Sequence, residues 1–213
     1  PVFVAAGHRV IAPDLLGFGR SDEPADDQAY TFHFHRSMLM ALIERLGLQR
    51  INLVCQDWGG ILGLTIPPAM PERFARLLVM NTAIPCGEPV SEGFNRWRAF
   101  NRSQPDLDIA ALMQRSQPDM LADEAAAYAA PFPDSRFKAG VRRFPELVMT
   151  DPGMEGIAEA KRALEFSESR FRTAFDNIPD VYFRERRADV DFVADRLVRN
   201  LMGQAVDVEV EIP

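Results

Sequence analysis

Residues 50–60 have the sequence RINLVCQDWGG, an apolar run followed by an acidic residue, a tryptophan and two glycines. The run predicts a buried β-strand over residues 50–55, and the glycines after it begin a segment of helical character. Cys55 and Gly59 lie two positions on either side of Asp57, and such small residues let a strand and a helix approach closely. The pattern therefore predicts a strained strand-to-helix turn, a nucleophile elbow, that raises the Asp57 side chain above a sheet.

Asp57 at such a turn has two interpretations. A raised carboxylate can attack a carbon that bears a leaving group and form an ester, without first losing a proton. The start of the following helix would favour its ionised form. Alternatively, Asp57 only caps that helix, because aspartate is a preferred N-cap residue.

The remainder of the chain places this turn in an α/β fold with a mostly parallel sheet. Apolar runs at residues 9–14 and 76–81 predict two further strands, and apolar residues at helical spacing predict a helix over 31–46 that ends at Gly47. Strands that alternate with helices of this length are typical of parallel sheets. From Thr82 to about Leu164 no strand is predicted, and short helices dominate.

We therefore divide the chain into three predicted segments. Residues 1–82 are a partial α/β core that carries the elbow, 83–164 are a helical cap, and 165–213 are a divergent C-terminal segment rich in Arg, Asp and Val. Within the last segment, residues 206–212 alternate between apolar and acidic side chains, which fits either an edge strand or an acidic tail.

Composition excludes several classes of function. The 213 residues carry a net charge of −7 and the isoelectric point is about 5.1, so a nucleic-acid partner is not expected. No apolar run approaches the roughly 20 residues of a membrane span. Cys55 and Cys86 lack metal or redox spacing, which predicts a reduced, cytoplasmic protein. His33 and His35 lie two apart on a helix and face different directions, so we predict no metal site. No motif of the sequence implies an organic cofactor, and none is predicted.

Several stretches together carry a family resemblance. The elbow VCQDWGGILGL follows RVIAPDLLGFGRSDEP and YTFHFHRSMLMALIERLGL, and the predicted cap contains EGFNRW, AAYAAPFPD and GVRRFPELV. These stretches closely resemble the haloalkane dehalogenases of the α/β-hydrolase superfamily, in the branch that holds the halide with two tryptophans. The resemblance covers about residues 6–164 and is most specific at the elbow and the cap.

The resemblance implies a partial α/β-hydrolase fold with a helical cap, and a site for a small apolar halogenated substrate, water and a halide ion. It implies that Asp57 is the nucleophile and that Trp58 and Trp97 bind the halide. Indole N–H groups suit this role because they donate a hydrogen bond without accepting one and bring apolar bulk. The resemblance also implies four pocket-lining residues: Phe94, Phe144, Pro145 and Val148.

The sequence departs from this family in the groups that release the product. The family hydrolyses its alkyl ester with a histidine near the C-terminus, oriented by an acid, but no histidine follows Asp57 here. Asn81 lies where another branch carries its acid, and an amide cannot replace it. A strand and an oxyanion-hole loop before Pro1 are also missing, so that only the Trp58 N–H remains for this role. We expect a chain truncated at its start and altered, by a shifted reading frame, near Glu165, with at most one turnover.

Two other functions remain open. Epoxide hydrolases share an aspartate elbow, but they need tyrosine donors in the cap, and of Tyr30, Tyr128 and Tyr182 only Tyr128 lies clearly there. The other possibility is a non-catalytic fragment of the fold, which the missing histidine favours. The oligomeric state is not predicted by the sequence.

Overall fold

The structure, a computed structural model, describes the backbone of residues 2–175 and the side chains up to residue 167. The predicted C-terminal segment 165–213, including the alternating residues 206–212, therefore lies largely outside the described residues. The helices and strands in chain order are α1 (Val2–Ala5), α2 (Phe32–Arg45), β1 (Ile51–Gln56), α3 (Trp58–Gly63), β2 (Phe74–Met80), α4 (Glu92–Ser103), α5 (Ile109–Ser116), α6 (Ala122–Ala129), α7 (Ala139–Leu147) and α8 (Ile157–Phe175).

These elements form two compact units. One, which we call the sheet unit, comprises Phe32–Pro89 and the described residues from Met149 onward. The other, the helical unit, comprises Val90–Val148 and the described residues up to Thr31. These limits differ from the predicted segments 1–82 and 83–164, which stay predictions.

The sheet unit contains a parallel pair of strands, β1 and β2, with Cys55 beside Val79 and Gln56 beside Met80. Helix α3 connects the two strands, as expected for parallel neighbours, which need a crossover. The predicted α2, β1 and β2 are confirmed with their ends within two residues. The α/β class with a parallel sheet is thereby confirmed.

The core of the sheet unit lies beside α2. It is built from four buried side chains, namely Ile43, Ile66, Met70 and Phe74, and from partly buried leucines of α2 and the strands. The helical spacing predicts a different apolar face, at Phe34, Met38, Ala41, Leu42 and Leu46, but Phe34 and Leu46 are 43% and 38% exposed and Ile43 is buried instead. The turn after α2 contains Gly47, which has a φ of +58°, and the Leu48 N–H donates back to the Ile43 carbonyl at 3.0 Å. Both bonding and torsion are those of a glycine-terminated helix.

The predicted first strand over residues 9–14 is wrong. This stretch has no regular secondary structure, and Val10 and Ile11 are 51% and 37% exposed. Among residues 2–175, only β1 and β2 pair as strands. An extended run needs a neighbouring strand for its N–H and C=O groups, and the apolar pattern does not supply one.

The helical unit consists of α1, two turns of 3-10 helix and the four helices α4 to α7. The prediction of a helical segment without strands is confirmed over its described residues. Its buried apolar side chains include Leu107, Ile109, Ala125, Ala139 and Phe144. No helix of the described chain is long and apolar enough to cross a membrane.

One arginine ties several segments of the helical unit together. Arg142 of α7 pairs with both oxygens of Asp27, at 2.7 and 3.2 Å, and donates to the carbonyls of Pro105 and Ser135 at 3.1 and 2.7 Å. Its guanidinium plane presents several donors in a fixed geometry, which suits bonds to separate acceptors. Arg142 therefore connects α7 to three other segments of the helical unit, two of which are 3-10 turns.

Candidate active site

Asp57 occupies the turn between β1 and α3 in a conformation that a non-glycine residue rarely adopts. Its φ is +48° and its ψ is −125°. Positive φ brings Cβ close to the backbone and raises the energy of such a residue. The predicted strained strand-to-helix turn is therefore present at Asp57.

The Asp57 carboxylate does not cap the helix that follows. Within the described part of the chain, its side chain makes no capping bond to the first turn of α3, and the residue is exposed. Asp57 thus occupies the N-cap position of α3 without the side-chain bond that the capping interpretation predicts. Its carboxylate is available for contact with another molecule, which is what a nucleophile requires.

The backbone of Asp57 is held by the end of β2. Its N–H donates to the Asn81 carbonyl at 3.2 Å, and its carbonyl accepts from the Thr82 hydroxyl at 2.6 Å. The same carbonyl accepts from the N–H groups of Gly60 and Ile61, at 2.9 and 3.1 Å. These four bonds offset part of the cost of the strained turn.

Glycines allow the close packing that this arrangement needs. A Cβ added at Gly60 would overlap with the side chain of Thr82. A Cβ at Gly59 would lie at an ordinary 3.8 Å from the Cβ of Cys55. Cys55 itself is 4% exposed, and this burial raises the pKa of its thiol to about 11. Cys55 is therefore a packing residue and not a competing nucleophile.

Trp97 lies on α4 of the helical unit and is half-buried. Its ring lies 5.9 Å from that of Phe100. Ser91 is the N-cap residue of α4, and its hydroxyl accepts from the Phe94 N–H at 3.1 Å. Phe94 and Trp97 are three residues apart, so they occupy neighbouring positions on one side of the helix.

The other predicted pocket residues lie at the end of α7. Phe144 is 6% exposed and its ring meets that of Phe18 edge to face at 4.6 Å. Pro145 is inside α7, and Val148 follows its last residue. The helical unit thus contains Trp97 and the four residues predicted to line a pocket, whereas Asp57 and Trp58 belong to the sheet unit.

Comparison with known proteins identifies the family. Residues 1–173 match the model of the alpha/beta hydrolase fold. A haloalkane dehalogenase from Psychrobacter cryohalolentis is 38% identical over 96% of this chain and 68% of its own length. The haloalkane dehalogenase DpaA from Paraglaciecola agarilytica NO2, solved as a tetramer, is 38% identical with a TM-score of 0.76 and covers 97% of this chain and 78% of its own.

This chain belongs to the haloalkane dehalogenase family. Haloalkane dehalogenase 1 of Mycobacterium tuberculosis H37Rv is 40% identical over 78% of the chain, but this match spans only 56% of the relative. The chain therefore covers between about half and two thirds of these curated relatives. Alignment to the Psychrobacter dehalogenase includes 96% of the chain and so extends into the segment predicted to diverge.

Two histidines of this dehalogenase-family chain, His33 and His35, lie on α2 of the sheet unit. His33 faces two carboxylates, with Nδ1 at 2.9 Å from Glu155 and Nε2 at 3.4 Å from Glu159. His35 is 1% exposed. In the described part of the chain no three potential metal ligands lie together.

Sequence reasoning missed the contacts of three residues, two in the sheet unit and one in the helical unit. Thr82 and Gly60 complete the elbow, and Asn101 links α4 to α7 through a bond from its Nδ2 to the Val141 carbonyl at 3.2 Å. The glycine doublet at 59–60 was the one signal for a close approach. Thr82 and Asn101 bond to Asp57 and Val141, which are 25 and 40 residues away, and no local sequence pattern reveals such contacts.

Proposed function

We propose that this chain is the haloalkane-binding and halide-displacing part of a hydrolase that converts haloalkanes to alcohols. The observation that supports this most directly is the strained Asp57, whose exposed carboxylate does not serve the helix behind it. A carboxylate held above a strand end by backbone bonds is preorganised for attack. Family membership supplies the reaction class.

The first step is a displacement at carbon. An Asp57 carboxylate oxygen attacks the carbon that bears the halogen, a C–O bond forms, and the carbon–halogen bond breaks. The halide leaves with the bonding electrons, and an alkyl ester of Asp57 remains. No proton needs to move in this step, so no general base is required for it.

Trp58 and Trp97 stabilise the halide in this proposal. Each indole donates one N–H, and the surrounding apolar rings exclude water, which strengthens a hydrogen bond to an anion. Trp58 directly follows the nucleophile in the sheet unit, and Trp97 is half-buried on α4. Support for Trp97 comes from the EGFNRW stretch that the family resemblance singles out.

The substrate is a small apolar halogenated molecule, and Phe94, Phe144, Pro145 and Val148 line its pocket. Phe144 and Val148 are 6% and 9% exposed, and such apolar side chains favour a substrate without charge. Water is the second substrate. The proposal needs no metal or organic cofactor, and the free thiols of Cys55 and Cys86 suit the cytoplasm.

The second step, hydrolysis of the ester, requires a general base. No histidine follows Asp57 in the 213 residues, and His33 is engaged by Glu155 and Glu159. We therefore propose that these 213 residues, tested by themselves, stop after the first step and retain the alkyl group on Asp57.

The test is intact-mass analysis of the chain after incubation with 1-bromobutane. We expect one butyl group per chain, located on the peptide that contains Asp57, and one bromide released. The Asp57→Asn variant is the matched control, because an amide of the same shape does not attack carbon. Both proteins are checked for the same circular dichroism spectrum first.

Each outcome decides between functions. An unmodified, folded chain would overturn the proposed displacement and favour a non-catalytic member of the fold. Continued bromide release would reveal a base that the sequence does not show. Diol formation from an epoxide would favour epoxide hydrolysis, but Tyr128, the one tyrosine of the predicted cap, is 52% exposed on α6.

A further inference from the structure

Helix α7 carries a proline in its interior, and this creates a local deficit in hydrogen bonding. Pro145 has no N–H and cannot donate to the carbonyl of Val141, four residues earlier. The proline ring also displaces that carbonyl from the helix axis. The Val141 carbonyl therefore needs a donor from elsewhere, because it belongs to a packed helix and not to a solvated loop.

Asn101 of α4 supplies that donor. Its Nδ2 lies 3.2 Å from the Val141 carbonyl oxygen, and the residue is 2% exposed. Water competes little for this amide, and loss of its donor would leave the carbonyl of the partly buried Val141 without this partner. The Oδ1 of the same amide is buried and has no hydrogen-bond partner among the described residues. Asn101 and Pro145 are therefore complementary, since one residue removes the bond and the other replaces it.

The position of Asn101 on α4 connects this bond to the proposed halide site. Asn101 follows Trp97 by four residues, one turn later on the same side of the helix. A second link between the helices joins Arg102 to Glu146 at 2.6 Å, but the arginine side chain is 67% exposed. Exposed ion pairs contribute little, so the buried amide is the stronger constraint on how α4 lies against α7.

We propose that Asn101 is a positioning residue, whose amide binds the carbonyl that Pro145 leaves without a helical partner and thereby fixes Trp97 relative to Phe144 and Pro145. The halide-binding part of this inference rests on the proposed function. The pairing of Asn101 with Pro145 does not, since it follows from the contacts alone.

A double-mutant cycle tests the pairing. Asn101→Leu keeps the volume and removes both the donor and the unpartnered Oδ1. As the net result we expect the melting temperature of the 213-residue chain to fall by about 3–6 °C. Pro145→Ala restores an N–H at position 145, which can donate to Val141. In the Pro145→Ala background, Asn101→Leu should therefore lower the melting temperature much less. An equal loss in both backgrounds would overturn the pairing.

Tryptophan emission tests the positioning. In a Trp58→Phe background Trp97 is the sole tryptophan, so its emission maximum and acrylamide quenching report the α4 surroundings alone. We expect Asn101→Leu to shift the emission and increase quenching, and Pro145→Ala to suppress both changes. Arg102→Gln is the matched control at the next residue and should change them less. Equal changes in this control, or none in Asn101→Leu, would overturn the positioning role.

Bromide titration separates this inference from the proposed function. Quenching of both tryptophans by bromide in the parent chain is expected, with a several-fold weaker apparent affinity in Asn101→Leu. If bromide binds neither protein, the proposed halide site fails, while the melting and emission experiments still decide the role of Asn101. If bromide binds both equally, Asn101 does not position the halide site.

Discussion

At the scale of single residues, the proposed site depends on keeping Asp57 in a conformation of high energy. A non-glycine residue at positive φ persists only where its surroundings hold it, and such strain is common at active sites. Here the end of β2 holds it through the Asn81 carbonyl and the Thr82 hydroxyl. Asn81 itself has a φ of +38°, so the two strand ends share an unusual backbone geometry.

The glycine doublet gives a matched pair of substitutions. Gly60→Ala would place a Cβ in the side chain of Thr82, whereas Gly59→Ala would meet only Cys55 at 3.8 Å. We expect Gly60→Ala to lower the free energy of unfolding by about 1–3 kcal/mol and Gly59→Ala to change it much less. Urea unfolding of both variants measures this. Equal losses would show that α3 does not approach Thr82 as described.

At the scale of the elements, α2 is followed by a glycine in the left-handed conformation, a common way for a helix to end. Gly47 has a φ of +58°, and an added Cβ would meet no atom within 4 Å. A substitution at Gly47 therefore changes stability through the backbone conformation and not through steric overlap. We expect Gly47→Ala to lower the free energy of unfolding by about 1 kcal/mol.

Gly47→Asn is the control for this effect. Asparagine tolerates the left-handed region better than alanine, so it should retain more of the stability in the same thermal unfolding experiment. If alanine and asparagine were equally stable at this position, conformation at residue 47 would not be what ends α2.

The helix end, the two paired strands and the elbow were predictable because their signals are local. Periodicity locates α2, and small residues on either side of Asp57 indicate the turn. The run at residues 9–14 has an equally apolar pattern but lacks a paired neighbour among residues 2–175, so it forms no strand. Thr82 and Asp57 are 25 residues apart, and Asn101 and Val141 are 40 apart. Bonds over such separations depend on the folded arrangement of the helices and strands.

At the scale of the whole molecule, each compact unit contains a buried acidic group with a raised pKa. In the sheet unit, burial raises the pKa of Cys55 to about 11. In the helical unit, burial, followed by the charges of Glu23 and Asp27, raises the pKa of Tyr30 to about 12. Tyr30 is completely buried and its hydroxyl donates to the Pro24 carbonyl at 2.8 Å.

These shifts predict how stability depends on alkaline pH. The ordinary pKa of the thiol is 9.0, so above pH 9 the unfolded chain loses the Cys55 proton while the folded chain keeps it. The contribution of the protonated Cys55 thiol to the free energy of unfolding is fully present below pH 9 and is lost as the pH rises through about 11. For Tyr30 the corresponding loss starts near pH 10 and continues to about 12. Both units should therefore weaken in alkali, the sheet unit first.

Two single-tryptophan variants follow the units separately. Trp97→Phe leaves Trp58 to report the sheet unit, and Trp58→Phe leaves Trp97 to report the helical unit. Urea unfolding between pH 8 and 11 should show a declining stability in each. Cys55→Ala should flatten the decline reported by Trp58, and Tyr30→Phe that reported by Trp97, because neither replacement ionises. A decline that persists unchanged in Cys55→Ala would assign the alkaline loss to other groups and contradict the buried state of this thiol.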